Sequence, residues 1–172
     1  MKLLINKNTL RKYVQIAHKR NDDIIEQAIR TAQTIDLPNL LCEEYYSQLI
    51  TKPEEFQELI QGGEYEVDGV TYINHGLEIV LSYLAYANYK MHGSNVDTPF
   101  GTVVKTTDDS DPATKTSKQI AYTLNKQYAM TYLNNVRKFL IRTNYKGYND
   151  ICGSCKPNTV GFRISVIKNE NR

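Results

Sequence analysis

The stretch Lys118–Asn144 contains no proline and no glycine. Apolar residues recur along it at Ile120, Leu124, Tyr128, Tyr132, Val136, Phe139 and Leu140, with Thr131 beside them. Spacings of three and four are those of one helical face. At a rise of 1.5 Å per residue such a helix is about 40 Å long. Ser117 or Thr116 is placed to cap it, and Asn125, Lys126, Asn134 and Lys138 are expected on its polar side. A helix of that length needs long partners, so the rest of the chain must supply a bundle.

The upstream sequence does supply helices. Leu3–Ile5 reads as a short edge strand, and Asn8 as the cap of a helix over Thr9–His18. A second helix follows Asn21-Asp22, with Ile25, Ala28, Ile29 and Ala32 on one face. After Pro38 a third runs over Asn39–Ile50, with Leu40, Leu41, Tyr45 and Leu49 as its apolar side. The run Thr51-Lys52-Pro53-Glu54-Glu55 is a helix start, because proline fits the first turn and carboxylates suit the positive helix end. That fourth helix, Glu54–Ile60, stops at Gly62-Gly63. The period then changes to two: Tyr65, Val67, Val70 and Tyr72 flank Asp68-Gly69, so Glu64–Ile73 is expected to be a hairpin. Leu77–Met91 is a fifth helix, with Leu77, Val80, Leu81, Leu84, Ala87 or Asn88, and Met91 along one side. Ala85 and Ala87 permit a close neighbour.

Between this helix and the long one lies NVDTPFGTVVKTTDDSDPATKTS, residues 95–117. It opens like a strand over Phe100–Thr106 and then becomes polar. Helix connections run about 4–6 residues, and longer ones are functional or disordered. The tail after Tyr145 ends in Val160-Gly161-Phe162-Arg163-Ile164-Ser165-Val166-Ile167, whose alternation suits a strand or an extended arm. The fold expected is mainly α: one antiparallel helix bundle with a small β-hairpin, a long strand-bearing loop and an extended C-terminal arm. The division is a helical domain over 1–147, with the loop 95–117 projecting from it, and an arm over 148–172.

Chemistry is sparse. Cys152-Gly153-Ser154-Cys155 supplies two zinc ligands where a structural site needs four, and Cys42, His18, His75 and His92 are distant and unpaired in spacing. A CxxC redox site would want a strand-then-helix context that is absent. A tight turn holding two reduced thiols is the favoured account, and three cysteines make no disulfide framework. Asp97, Asp108, Asp109 and Asp111 lack a calcium-loop spacing and read as a solvated turn. Glu43-Glu44 and Glu54-Glu55 read as helix-surface carboxylates. No phosphate-cradling glycine motif is present, so neither an enzyme nor a bound cofactor is expected. The 172 residues carry a formal charge of +2, too little for a global basic field. Arg137, Lys138, Arg142 and Lys146, and Lys7, Arg11, Lys12, Lys19 and Arg20 near the start, form local basic groups that suit either a solvated face or a pore lining. The 13 tyrosines against 4 phenylalanines and no tryptophan suit half-buried positions and interfaces. Neither a signal peptide's apolar core nor a membrane-length apolar run is found, which points to a protein made and used inside a cell or assembled there into something larger.

The order LLIN…LRKYVQI, DDIIEQAIRTAQTIDLPNLL, YYSQLI, and then GGEYEVDGVTYINHGLEIVLSYLAYANYKMHGSNVDTPFGTVVKTTDDS before a long helix resembles the head-tail connector (adaptor, or ring) proteins of tailed bacteriophages, of the type found in crAss-like and other Bacteroides phages. The resemblance spans nearly all of the chain to about Tyr145. Its most telling piece is GLEIVLSYLAYANYKMHG running into NVDTPFGTVVKTTDDS. It implies a subunit of a ring, usually of twelve copies, beneath the portal protein at the capsid vertex. Such a ring extends the DNA channel and receives the next tail component. Phe100, Thr102, Val103, Val104 and Lys105 in the loop, and Phe162, Ile164 and Val166 in the arm, are then the expected subunit or portal contacts. Arg137, Lys138 and Arg142 are the expected DNA-channel contacts, and the virion is the expected location. A small nucleic-acid-binding helical module without catalysis is the alternative, and a substrate lid or plain linker is the alternative use of the loop.

Overall fold

The computed structural model describes residues 2–16, 22–92, 95–98, 101–104 and 114–153, with the backbone course alone for 95–98 and 101–104. It is a mainly helical bundle with short antiparallel hairpins. Helix α1 spans Lys7–Tyr13, α2 Asp22–Thr31, α3 Glu43–Thr51, α4 Gln57–Gln61, α5 Gly76–His92, α6 Lys115–Thr143 and α7 Tyr148–Cys152. Strands β1 (Gly63–Val67) and β2 (Val70–Asn74) form one hairpin, and β3 (Asn95–Thr98) and β4 (Gly101–Val104) another.

Helix α5 is the central element, packed against α6, α2, α4 and α1. Its Leu77, Val80, Leu81, Ala85 and Ala87 are fully buried, so the alanines do admit close neighbours. The α2 face reads as expected, with Ile25, Ala28, Ile29 and Ala32 all in the core. The Leu3–Ile5 segment is not a strand. Gln33, itself fully buried, takes the place of a strand partner: its Oε1 accepts the Leu4 N–H at 2.7 Å and its Nε2 donates to the Lys2 carbonyl at 3.0 Å. Helix α1 starts two residues before the expected position, because Asn6 rather than Asn8 is the cap: its Oδ1 accepts from the Asn8 and Thr9 amides at 2.8 and 3.0 Å. The helix ends at Tyr13, where Val14 turns extended.

Past α2 the chain widens into a π-helical turn, Ala32–Asp36, and does not break until Leu41. Helix α3 therefore begins at Glu43, not Asn39. Pro53 opens a 3-10 turn, Pro53–Phe56, before α4. At the first hairpin Asp68 and Gly69 both take positive φ (54° and 75°), as a two-residue turn with the right twist requires. Its root is a crossing of two glycines. A Cβ on Gly62 (φ 82°) would stand 2.4 Å from the Asn74 carbonyl oxygen, and one on Gly76 (φ 77°) 2.6 Å from the Gly62 nitrogen. Buried Asn74 completes the junction by donating to the Glu58 carbonyl and accepting from the Gly76 amide.

Helix α6 begins at Lys115 and is capped by Thr114, whose Oγ1 accepts the Ser117 amide at 3.1 Å, in place of the expected Ser117 or Thr116. The expected stripe runs only half its course in the core. Val136, Phe139 and Leu140 are buried, but Ile120, Leu124 and Tyr128 face solvent at 63%, 42% and 45% exposure. Asn125 and Lys126, expected outside, are buried at 8% and 7%. The reason is geometric. Each i→i+4 step on a helix of 3.6 residues per turn precesses by about 40°. A series at 120, 124, 128, 132, 136 and 140 therefore winds from the outer face into the core. The buried line is instead Lys126, Ala129, Leu133, Val136 and Leu140, with alternating steps of three and four.

Candidate interaction surface

Strand β4 lies within the expected Phe100–Thr106 segment but is shorter, and its partner is in the same chain. Asn95 pairs with Val104, Val96 with Val103, Asp97 with Thr102 and Thr98 with Gly101. Of the expected loop contacts, Thr102, Val103 and Val104 lie on β4, whereas Phe100 and Lys105 fall outside the described residues, as do Phe162, Ile164 and Val166 of the arm.

The helices on either side of this hairpin are tied together by a buried polar node. The Lys126 ammonium meets Asp36 Oδ1 at 2.5 Å, and Asn88 Nδ2 donates to Asp36 Oδ2 at 2.9 Å. The Tyr122 ring lies 5.4 Å from the Lys126 nitrogen. Asp36 closes the π-helical turn after α2, Asn88 sits one turn before the end of α5, and Lys126 lies early in α6. One carboxylate thus joins α5 near its end to α6 three turns after its start. Residues of these types on three separate elements gave no local pattern by which sequence could join them.

Along the outer side of α6, Tyr128 continues the Ile120–Leu124 stripe into an aromatic row. Tyr83 stacks on Tyr132 (ring centroids 5.6 Å apart, planes at 10°) and meets Tyr128 edge-on at 5.5 Å, while His75 meets Tyr132 edge-on at 5.3 Å. Burial, with smaller contributions from Tyr132 and Tyr128, raises the Tyr83 phenol above its ordinary value. Further along, Tyr45 is fully buried and donates to the Tyr145 carbonyl at 3.0 Å. Burial, with Tyr145 and Tyr148 nearby, pushes its pKa well up.

Two of the three residues expected to line a DNA channel make contacts within the subunit, Arg142 while exposed at its surface. Arg137 Nη2 donates to the Leu40 carbonyl at 2.7 Å and holds the segment before α3 against α6. The Arg142 guanidinium lies 4.1 Å from the centre of the Tyr72 ring and reaches the Tyr65 hydroxyl at 3.4 Å, latching the first hairpin to α6 beside the Tyr65–Phe139 contact. Lys138 is exposed. Near the opposite end of the bundle Lys146, with φ 52°, helps line an open cleft of about 320 Å³ with Ser47, Gln48, Thr51, Lys52, Glu55 and Phe56.

The cysteines differ from expectation. Cys42, the cap residue of α3, is joined by a disulfide to Cys152 at the end of α7, with Cα atoms 5.8 Å apart. Spacing drew attention to Cys152 and Cys155, but α7 lies against α3, and this brings in the cysteine that is 110 positions away. Cys155 falls outside the described residues. Among the described residues no three His, Cys, Asp or Glu side chains cluster as a metal site would require. No helix among them is long and apolar enough to cross a membrane.

Residues 37–158, more than half of the chain, match a family described as a family of unknown function, DUF6712. The chain belongs to DUF6712. The matched stretch of this DUF6712 member runs from α3 through both hairpins and α5 to α7, and begins one residue after Asp36. No curated protein and no solved structure matches the chain.

Proposed function

We propose that this chain is a structural subunit of a phage head-tail connector, assembling as a ring, on the dodecameric plan, beneath the portal protein. In that role it would extend the DNA channel and receive the next tail component, with no catalytic turnover. One observation beyond the sequence resemblance carries the reading. Strands β3 and β4 make a two-stranded sheet whose outer edges have no strand partner among the described residues. It follows the end of α5, whose Asn88 is tied through Asp36 to Lys126 of α6. A lone two-stranded hairpin is marginal in water, and an open strand edge is a template for another chain. An edge donated to a neighbour, or taken from one, is the kind of heterologous contact that closes a ring. Thr102, Val103 and Val104 would form the strand's part of this contact. On the channel side, Arg137, Lys138 and Arg142 are the proposed DNA contacts; Lys138 and Arg142 are exposed, while Arg137 donates to the Leu40 carbonyl.

Electron microscopy of the protein mixed with its cognate portal tests the reading. A stacked ring in which residues 95–104 touch a second copy or the portal is the expected result. A protein that stays monomeric on the portal, or binds DNA as a monomer with steep salt dependence, would replace it with the nucleic-acid module.

A further inference from the structure

Among the described residues, helix α7 has few anchors apart from its sulfur. It has five residues, Tyr148–Cys152, too few to stay helical without support. The side-chain bonds that tie it to the end of α6 are exposed. Asn144 Oδ1 accepts the Asn149 amide at 2.8 Å, Asn144 Nδ2 donates to Asp150 Oδ2 at 3.1 Å, and Asn149 Nδ2 donates to the Ile141 carbonyl at 2.9 Å. Water takes over such bonds at small net cost. Of the α7 residues, Tyr148 and Cys152 are buried and Ile151 is half-buried. The Tyr148 ring meets Tyr45 of α3 edge-on, with centroids 5.0 Å apart, and Cys152 is bonded to Cys42 at the start of α3.

The link that leads into α7 is strained. Asn144, Lys146 and Gly147 all take positive φ, at 44°, 52° and 71°. Asparagine and glycine accept that region, but a lysine there sets its Cβ against the backbone. Tyr145 is fixed in the bundle: its ring centroid lies 5.0 Å from that of Phe139, and its carbonyl accepts the Tyr45 hydroxyl at 3.0 Å. The strain therefore sits at Lys146, on the α7 side of a fixed point, and lifting α7 relieves it. We propose that the Cys42–Cys152 pair is a redox lock. As a disulfide it holds α7 closed over Tyr45 against this strained hinge; as two thiols it lets α7 swing off while the rest of the bundle stays folded. Closing joins the two sulfurs and passes two electrons and two protons to a small disulfide such as oxidised glutathione, which leaves as two thiols. Opening is the reverse, by attack of a small thiolate on one of the two sulfurs through a mixed disulfide. The lock belongs to the single chain and needs no ring.

Hydrogen–deuterium exchange of the full chain, read by NMR, tests the lock in a Cys155→Ser background, where no third thiol competes for Cys152. Oxidised protein is compared with protein reduced by tris(2-carboxyethyl)phosphine. The Cys152 and Gly153 amides at the end of α7 should exchange at least about 10-fold faster after reduction, since exchange follows the open population. In the same reduced sample the α5 amides should stay at least about 100-fold better protected than those of α7. Cys42→Ser/Cys152→Ser should reproduce the reduced pattern without reductant. In the reduced form Lys146→Asn should slow α7 exchange and Lys146→Val, with a branched Cβ at positive φ, should speed it, the two standing about 5-fold apart. Equal α7 exchange with and without reductant would overturn the proposal, because the bond then restrains nothing. A common rate for α7 and α5 in the reduced protein would overturn it too, because α7 then opens only with the whole fold. So would equal rates in the three Lys146 forms, which leave no strained hinge.

Discussion

The two halves of α6 show opposite relations between polarity and burial. From Ala129 to Leu140 the inward residues are Ala129, Leu133, Val136, Phe139 and Leu140, and the helix buries an ordinary apolar face. From Ile120 to Tyr128 the fully inward residues are Asn125 and Lys126, while Ile120, Leu124 and Tyr128 are exposed and Ala121 and Tyr122 half-buried. Each inward polar group is satisfied: Asn125 Nδ2 donates back to the Ala121 carbonyl at 2.7 Å and Lys126 pairs with Asp36. The second half is held by packing. The first half is held by the Lys126–Asp36 pair and the Tyr83–Tyr128 ring contact, and leaves an apolar surface exposed. The difference teaches that helical phase, continued from the half that packs, decides which residues enter the core, and that polarity is then accommodated.

The sharpest way to break the comparison is to truncate each half in turn. Leu133→Ala should cost about 2–5 kcal/mol in urea denaturation, as expected for a fully buried leucine that leaves a cavity. Next in size, Lys126→Ala strands the Asp36 carboxylate in a mostly buried place and should cost on the order of 3 kcal/mol. The double variant Asp36→Leu/Lys126→Met should recover most of that loss, and failure to do so would mean the node does more than pair charges. A smaller effect is expected at Tyr45. Tyr45→Phe removes its bond to the Tyr145 carbonyl and should cost about 1–2 kcal/mol. Because burial keeps the Tyr45 phenol protonated above its ordinary pKa of about 10, the folded chain holds that proton where the unfolded chain has lost it. Stability should therefore fall as pH rises past about 10, and less steeply in Tyr45→Phe. Smallest of all, Leu124→Ala should change stability by less than about 1 kcal/mol. A cost equal to that of Leu133→Ala would erase the distinction between the halves.

Much of the fold could be read directly from sequence where a local signal sufficed. Asp68-Gly69 located the first hairpin, and the spacing of Ile25, Ala28, Ile29 and Ala32 gave the inner face of α2. Helix α5 came within a residue of its observed ends. What failed were features that need three dimensions. The stripe of α6 followed steps of four past the point where they leave one face. The edge strand expected at Leu3–Ile5 has in place of a backbone partner a glutamine side chain 29 positions on from Leu4. The strand at Phe100–Thr106 was seen, but its partner at Asn95–Thr98 was not, since Asn-Val-Asp-Thr has little β character. Of the candidate contacts, the intramolecular bonds of Arg137 and Arg142 were least legible. Their partners, the Leu40 carbonyl and the Tyr72 ring, lie far off in sequence.

The bond between Cys42 and Cys152 also has a mechanical meaning. Tension applied to whatever follows residue 153 would enter the molecule through Cys152 and pass by a covalent route straight to the start of α3. Neither the grip of α7 nor the length of α6 would bear that load first, so a hauled tail could strain without unravelling the helices behind it.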